Sequence, residues 1–435
     1  MSCVRVAVVS EYYPRRSDPV LGIWAHRQAL AAARAGAQVH VLVLNRLVPP
    51  RSALVLGARA TARALAERAR QPRHETRDGI PVTYVPYVSP PRPGFYPYWG
   101  AWAAPALGAA LRSLRRSFAF ELVHAHNAVP AGDAVRRAGL AAPIVVSVHG
   151  SDVLYTARQS IAGAKAVRRT FAAARIVLAN SRGSAELARS YDARDVAVVH
   201  LGTDLPASGP HDPEHALAAS VPLSTAAGDE REEHPLSRLE QELPDPSAHS
   251  GRLAAPTLVT VAHLIPRKRH AEVVQALAAL SHRQPDLRYL VIGDGPERPA
   301  LEALAASLGV GDRVEITGQL DPALALERAR ECTLFVMPST EEAFGVAYVE
   351  SMAAGVPAIG CRGEPGPEEI AAAGGGIELV RAGDVDGLMT AIDDLLGDPE
   401  RRSALGARAR ATVAEHFTWE RCGEETLDAY RRALR

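Results

Sequence analysis

Short runs of β-branched residues alternate with Ala- and Leu-rich helical patterns along nearly the whole chain, and this alternation restricts the fold more than any other feature. In the first half the runs are VRVAVVS, QVHVLVLN, VTYVPY, ELVHAH, PIVVSVH and RIVLANS. In the second half they are TLVTVAHL, RYLVIGD, VEITG, LFVMPS and PAIG. Each run is apolar almost without interruption, which suits a strand buried on both faces, and strands spaced by helices build βαβ units with parallel sheets. A chain of 435 residues exceeds one hydrophobic core, so two such units are expected. Between them, Pro206 to Pro256 is rich in Pro, Ser, Ala, His and acids and carries the run GDEREEHP without a strand signal. The expected organisation is an N-terminal Rossmann-like domain over 1–205, a disordered or loosely ordered insertion over 206–256 and a C-terminal Rossmann-like domain over 257–415. A final helix over 416–435 is expected to pack back toward the N-terminal domain.

Charge is distributed unevenly. Residues 1–205 hold 27 Lys and Arg against 12 Asp and Glu, a balance of +15; subtraction from the totals of 49 and 49 leaves −15 for residues 206–435. A positive N-terminal half points to an anionic partner there. Nucleic acid is set aside, because the arginines carry no interleaved aromatics and no binding motif. An anionic membrane surface or a lipid-linked phosphate fits the charge, and RSALVLGARATARALAERARQPR places Leu and Ala among arginines at near-helical spacing. The apolar run Val4 to Val9 is too short for a signal peptide or a membrane span. A cytoplasmic protein, peripheral at the inner face of the membrane, is expected. Cys3, Cys332, Cys361 and Cys422 lack paired spacing, so neither a disulfide frame nor a zinc site is expected.

Open parallel sheets bind ligands at the C-terminal ends of their strands, so those junctions are where chemistry is expected. TLVTVAHLIPRKRH places His263 at such an end and Lys268 just beyond; Lys268 and Lys165 are the only lysines in an arginine-rich chain, which suggests a point-charge phosphate contact. LVIGDGPERPALEAL gives a strand, a turn with Gly293 and Gly295 where backbone can approach a ligand, and a helix opening at Pro296. In PSTEEAFGVAYVESMAAGVP, Ser339 and Glu342 have the spacing of a capping box, a helix begins near Phe344–Gly345, and a diphosphate could sit on that helix end. Glu350, eight residues after Glu342, is placed to accept the vicinal hydroxyls of a ribose. In the first half, HAHN puts His124 and His126 on one side of a strand end, and the next strand runs into His149, Gly150, Ser151 and Asp152. Metal binding needs a third ligand that the sequence does not offer nearby, so no metal is expected. The first loop, SEYYPRRSDPVLGIWAHRQA, contains Gly22 but not the spaced glycines of a dinucleotide site. Asp384 and Asp386 spell DxD at a helix start, where Asp384 reads as an N-cap.

Together these stretches resemble the retaining glycosyltransferases of family 4, with the two-Rossmann-domain GT-B fold. The Glu342-to-Glu350 stretch matches the family's glutamate, seven residues, glutamate signature, followed by SMAAGVPAIG; Gly293-Asp294-Gly295-Pro296, the LGTD of Leu201–Asp204 and HFTW support it. The N-terminal YYPRRSDPVLGIWAHRQAL resembles members of the teichuronic-acid type that build cell-surface polysaccharide. The resemblance implies transfer of a hexose from a UDP-, GDP- or ADP-sugar to a glycan or polyprenyl-linked acceptor, without a cofactor. It implies Glu350, Gly293 and Gly295 at the nucleotide and ribose. It implies His263, Lys268, Phe344, Gly345 and Gly22 at the diphosphate, and Glu342, His126, His149 and Asp152 at the sugars, with Glu342, His126 and Lys268 as the catalytic set. Two positions depart from the family: arginine is usual where His263 stands, and glycine where Ala343 stands. Alternatives on the same fold are a sugar phosphorylase or nucleotide-sugar epimerase; a further alternative is a non-catalytic sugar-nucleotide sensor.

Overall fold

A computed structural model describes residues 3–206 and 255–435, apart from 17, 50–52, 54 and 93. The insertion expected over 206–256 lies almost wholly outside the described residues. Two sheets organise the rest. The N-terminal sheet contains β1 (Arg5–Ser10), β2 (Gln38–Arg46), β3 (His74–Arg77), β4 (Ile80–Tyr87), β5 (Leu122–His126), β6 (Ile144–Val148), β7 (Ile176–Ala179) and β8 (Val196–Val198), in the order β3-β4-β2-β1-β5-β6-β7-β8. All neighbours are parallel except the hairpin β3–β4. The second sheet contains β9 (Thr257–Val261), β10 (Arg288–Ile292), β11 (Val314–Ile316), β12 (Leu334–Val336), β13 (Ala358–Cys361) and β14 (Ile377–Val380). Its order is β11-β10-β9-β12-β13-β14, parallel throughout.

The apolar runs become central strands because both faces are covered. On β1 and β2, Val6, Val8, Val41 and Val43 pack on one side with Ala25, Ala29 and Ala32 of the helix Ile23–Arg34. Their alternates Ala7, Val9, Leu42 and Leu44 pack on the other side with Leu107 and Leu111 of the helix Trp99–Ser117. The second sheet repeats this, with Val259, Leu290 and Phe335 over Tyr348, Val349 and Met352, and Leu258, Val291 and Val336 over Val273, Leu277 and Ile392. Strands with period-two alternation into two cores cannot slip by one residue without exchanging every contact.

The chain crosses between the domains twice, side by side. Thr203 donates its N–H to the Phe417 carbonyl, and Thr203 pairs in parallel with Thr418. Thr418 then caps the helix Trp419–Ala433, its hydroxyl accepting from the Arg421 N–H. That helix lies on the N-terminal domain: the Gln28 amide donates to Thr426 Oγ1, the Tyr430 hydroxyl meets His124 Nδ1 at 2.8 Å, and Arg432 pairs with Asp195. Gly423 is required there, since a Cβ would come within 2.3 Å of the Ala31 carbonyl.

Candidate active site

The polar groups of interest stand on or just beyond the C-terminal ends of strands in both sheets. In the second domain, β12 runs into a loop that ends at Gly345, the N-cap of the seven-residue helix Val346–Met352. The capping-box expectation is therefore corrected. The Ser339 hydroxyl donates to Glu342 Oε2 at 3.0 Å and caps nothing, because the helix begins seven residues after Ser339. Gly345 is glycine for two local reasons, a left-handed φ of 84° and the Tyr348 ring lying where its Cβ would go. The loop is pinned from below: Glu342 N–H donates to the Glu364 carboxylate, and Gly366 N–H donates to the Glu342 carbonyl. No described residue accepts a hydrogen bond from the N–H groups of Phe344, Gly345 or Val346.

Three groups converge on the Glu342 carboxylate. Lys268 Nζ stands 2.5 Å from Oε2, the Ser339 hydroxyl 3.0 Å and Arg267 Nη1 3.7 Å. Burial opposes its ionisation, but Lys268, Arg267 and Ser339 outweigh burial and hold the carboxyl below its ordinary value. Arg267 escaped the sequence reading. Its signal was the unbroken Arg267-Lys268-Arg269 run in a strand-end loop. His263 is exposed, and its Nδ1 faces the Asp294 carbonyl at 3.2 Å instead of the Glu342 cluster.

Gly293 and Gly295 each have a packing reason of their own. A Cβ at Gly293 would lie 2.0 Å from the Ala262 carbonyl and one at Gly295 2.5 Å from the Leu264 carbonyl, so both permit the β9 and β10 loops to pack together. The helix expected at Pro296 begins at Arg298. Glu350 lies within Val346–Met352, half-buried rather than a surface acid. Burial raises its pKa, against the pull of Arg330 and Arg27, while Asp204 adds to the rise. Arg27 Nη1 pairs with Asp204 at 3.1 Å and Arg330 donates to the Asp204 carbonyl, so Glu350 looks onto the domain crossing from the N-terminal side as well.

In the first domain the adjacent strands β5, β6 and β7 end in His126, His149 and Asn180 respectively, or one residue before them. His126 Nδ1 meets His149 Nε2 at 2.9 Å with the rings stacked. Burial, with His124 and His149 nearby, holds His126 neutral, and burial pushes His149 down to about 4. In either tautomer of this pair, one outer ring nitrogen is a free donor and the other a free acceptor. Those outer atoms, His126 Nε2 and His149 Nδ1, are buried without a partner among the described residues. So are Asn127 Oδ1, Asp152 Oδ2 and Asn180 Oδ1. Buried polar atoms are rarely left unpaired, so a row of them along three strand ends is a candidate ligand surface. The two asparagines were not singled out from sequence; each follows a strand end, in HAHN and in ANS. Asp152 Oδ1 accepts from the N–H groups of Ala128 and Val129, and burial raises its carboxyl to about 7. His124 lies deeper, between Ser147 Oγ and the Tyr430 hydroxyl. Gly22 sits at φ 65° as the N-cap of Ile23–Arg34, its α-carbon against the Tyr12 backbone, and Trp24 just beyond it reaches the His149 ring.

The two sets abut. A Cβ on Gly150 would lie 2.3 Å from the Ala343 Cβ, and Ala343 packs with Val148, Val153 and Leu154. Thus the segment carrying His149 and Asp152 touches the segment carrying Glu342, and the alanine where the family has glycine is matched by a glycine opposite. The DxD pair lies apart from this: Asp384 Oδ1 accepts from Gly387 N–H as an N-cap. Among the described residues no cluster of three His, Cys, Asp or Glu side chains could hold a metal ion.

Known proteins resemble the chain in sequence and fold. The family described as Glycosyltransferase Family 4 matches residues 21–206, and the family described as Glycosyl transferases group 1 matches residues 248–412. The chain belongs to the family 4 glycosyltransferases. A GDP-mannose-dependent α-(1-6)-phosphatidylinositol monomannoside mannosyltransferase of Mycolicibacterium smegmatis is 31% identical over 193 residues, covering 41% of this chain and 50% of that protein. The lipopolysaccharide core biosynthesis glycosyltransferase LpsE of Rhizobium meliloti is 32% identical over 180 residues, covering 41% and 50%. The matches thus span about half the length of these relatives. Among solved structures, sucrose-phosphate synthase from Thermosynechococcus elongatus superposes with a TM-score of 0.73 at 19% identity over 98% of both chains. Anabaena HepE in complex with UDP and glucose superposes with 0.67 at 17% identity, over 98% of this chain and 99% of that one. Both likenesses establish the GT-B fold for this family 4 glycosyltransferase.

Proposed function

We propose that this protein is a retaining hexosyltransferase that takes its sugar from a nucleoside diphosphate sugar and works in the interdomain cleft. The observation that carries the reading is the pairing of two chemistries across the Gly150–Ala343 contact. On one side Lys268 and Arg267 gather beside free backbone N–H groups, and on the other His126, His149, Asn127 and Asn180 offer unpartnered atoms. The first suits a diphosphate and the second a sugar. Glu350 accepts the ribose hydroxyls, and Glu342 and Asp152 complete the sugar contacts.

In the reaction the bond from C1 of the hexose to the β-phosphate oxygen breaks, with both electrons leaving on the phosphate. The acceptor oxygen bonds to C1 on the same face, and its proton passes to a phosphate oxygen. The protein orients the partners and stabilises charge on the leaving diphosphate through Lys268 and Arg267, without a metal ion. The mycolicibacterial relative is named for GDP-mannose and a lipid-borne mannoside, and the HepE structure is a complex with UDP and glucose. We carry over that class of donor, and a glycan or lipid-linked acceptor entering over the basic N-terminal domain at the inner face of a membrane. No helix among the described residues is long and apolar enough to cross a membrane. The test is release of free nucleoside diphosphate from a panel of UDP-, GDP- and ADP-hexoses with and without acceptor. Acceptor-dependent release supports transfer. Conversion of the donor without any acceptor overturns it in favour of an epimerase.

A further inference from the structure

The turn that follows β4 has two faces with different chemistry. Its inner face belongs to the cleft: the Tyr96 hydroxyl donates to Glu11 Oε2, one residue beyond β1, and Arg92 reaches Glu11 and the Tyr12 hydroxyl. Its outer face is apolar and uncovered. Phe95, Tyr98 and Trp102 are 49%, 49% and 52% exposed, and Val88 is 59% exposed. Phe95, Tyr98 and Trp102 follow one another at helical spacing through the turn Tyr96–Tyr98 into the helix Trp99–Ser117, so they form a single ridge. Three large aromatic groups held in water beside one another are not explained by the packing of this chain.

Arginines frame the ridge. Buried Trp99, beneath it, has Arg46 4.4 Å and Arg92 5.0 Å from its ring centroid. Arg46 is tied to Ser89 and Pro90, and Arg68 from the exposed helix Ala58–Ala69 donates to the Arg46 carbonyl. That helix begins just after exposed Val55 and Leu56 and carries exposed Arg59 in its first turn. Acids are sparse along both stretches: the sequence has none between Asp18 and Glu67, which lies in the last turn of that helix, and none between Asp78 and Glu121.

We infer that this ridge docks the protein onto an anionic lipid surface, Phe95, Tyr98 and Trp102 entering the headgroup layer while the arginines meet the lipid phosphates. Tyr, Trp and Phe are the side chains that settle at a membrane–water boundary, and arginines from an acid-poor stretch of chain supply the complementary charge. A lipid surface is favoured over a protein partner because the patch combines scattered cations with flat aromatics. The inference rests on the proposed transfer to a lipid-linked acceptor. The same turn that would touch the lipid carries Tyr96 and Arg92 into the cleft, so an acceptor headgroup has a short path inward.

The test is co-sedimentation of the full chain with vesicles of phosphatidylcholine alone and with about 30% phosphatidylglycerol added, an anionic content that draws basic surfaces to membranes. The wild type is expected to pellet only with phosphatidylglycerol, and Phe95→Ser/Tyr98→Ser/Trp102→Ser to lose about tenfold in partitioning with its thermal midpoint kept. If the triple variant is compromised in folding, bromine-labelled phosphatidylglycerol vesicles should quench the fluorescence of the wild type and do so much less for Trp102→Phe. Equal binding by wild type and triple variant, equal quenching in Trp102→Phe, or no binding by the wild type overturns the inference. Nucleotide-sugar binding measured without vesicles reports on the proposed reaction separately, so either can fail alone.

Discussion

The Lys268 ammonium lies 2.5 Å from Glu342 Oε2, with both side chains about nine-tenths buried. An ion pair so placed is stable only as a pair, because either charge left alone in a dry site is costly. Lys268→Met should therefore lower stability by about 2–3 kcal/mol, somewhat under the usual cost of an orphaned buried charge since Ser339 and Arg267 remain. Adding Glu342→Gln should restore most of that stability, while donor binding should stay lost. Chemical denaturation with nucleotide titration on the same samples checks both. A double variant that regains donor binding would remove Lys268 from the diphosphate site.

Arg267 and Lys268 supply positive charge where the proposed leaving group sits, so turnover should be unchanged in EDTA. Arg267→Met should weaken diphosphate binding by about tenfold, the equivalent of ~1.4 kcal/mol for one partly exposed charge-assisted contact. His263→Ala should weaken it less, because the His263 ring faces the Asp294 carbonyl. Titration of these variants and Lys268→Met with nucleoside diphosphate ranks the three, and an order led by His263 would contradict the geometry.

Glu350 carries the ribose assignment. The wild type should bind a ribonucleoside diphosphate about tenfold more tightly than its 2′-deoxy or 3′-deoxy analogue, from loss of one charge-assisted hydrogen bond. Glu350→Ala should bind all three alike. A preference that survives the substitution would place the ribose elsewhere.

Stability should fall in mild acid. Burial pushes His124 down to about 3 and His149 down to about 4, and it holds His126 neutral as well. Free imidazole titrates near 6.5, so below that pH the unfolded chain takes up protons the fold refuses. The stability these neutral rings support is complete above about pH 6.5 and declines as pH falls towards 4, by up to ~1.4 kcal/mol per pH unit for each ring. His124→Gln should make that decline shallower. An unchanged slope between about pH 6.5 and 4 would show that the ring does not stay neutral.

The parallel sheets were legible because their central strands are buried on both faces, and runs such as VRVAVVS and RYLVIGD carry that environment in their composition. The edges were not. β3 is HETR, β8 is VAV and β14 is IELV, short segments with one open side, where polar residues are tolerated and the pattern fades. Lys268, Glu342 and Glu350 could be picked out by spacing and rarity. Arg267 could not, since its proximity to Glu342 depends on how the β9 loop crosses the β12 loop. The helix start near Phe344–Gly345 was legible, but the capping-box spacing misled, because Gly366 and Glu364 hold residue 342 in a loop, a tertiary contact that outweighs the local pattern. The matching of Ala343 to Gly150 joins residues almost two hundred apart in sequence, and no local signal reports it.

The central claim, that the cleft binds a nucleoside diphosphate sugar through Lys268, is tested most directly by isothermal titration of wild type and Lys268→Met with UDP-, GDP- and ADP-hexoses. Saturable binding of at least one of these to the wild type is predicted, weakened by about tenfold or more in the variant. Binding of none of them to the wild type, or equal affinity in the two proteins, would contradict it.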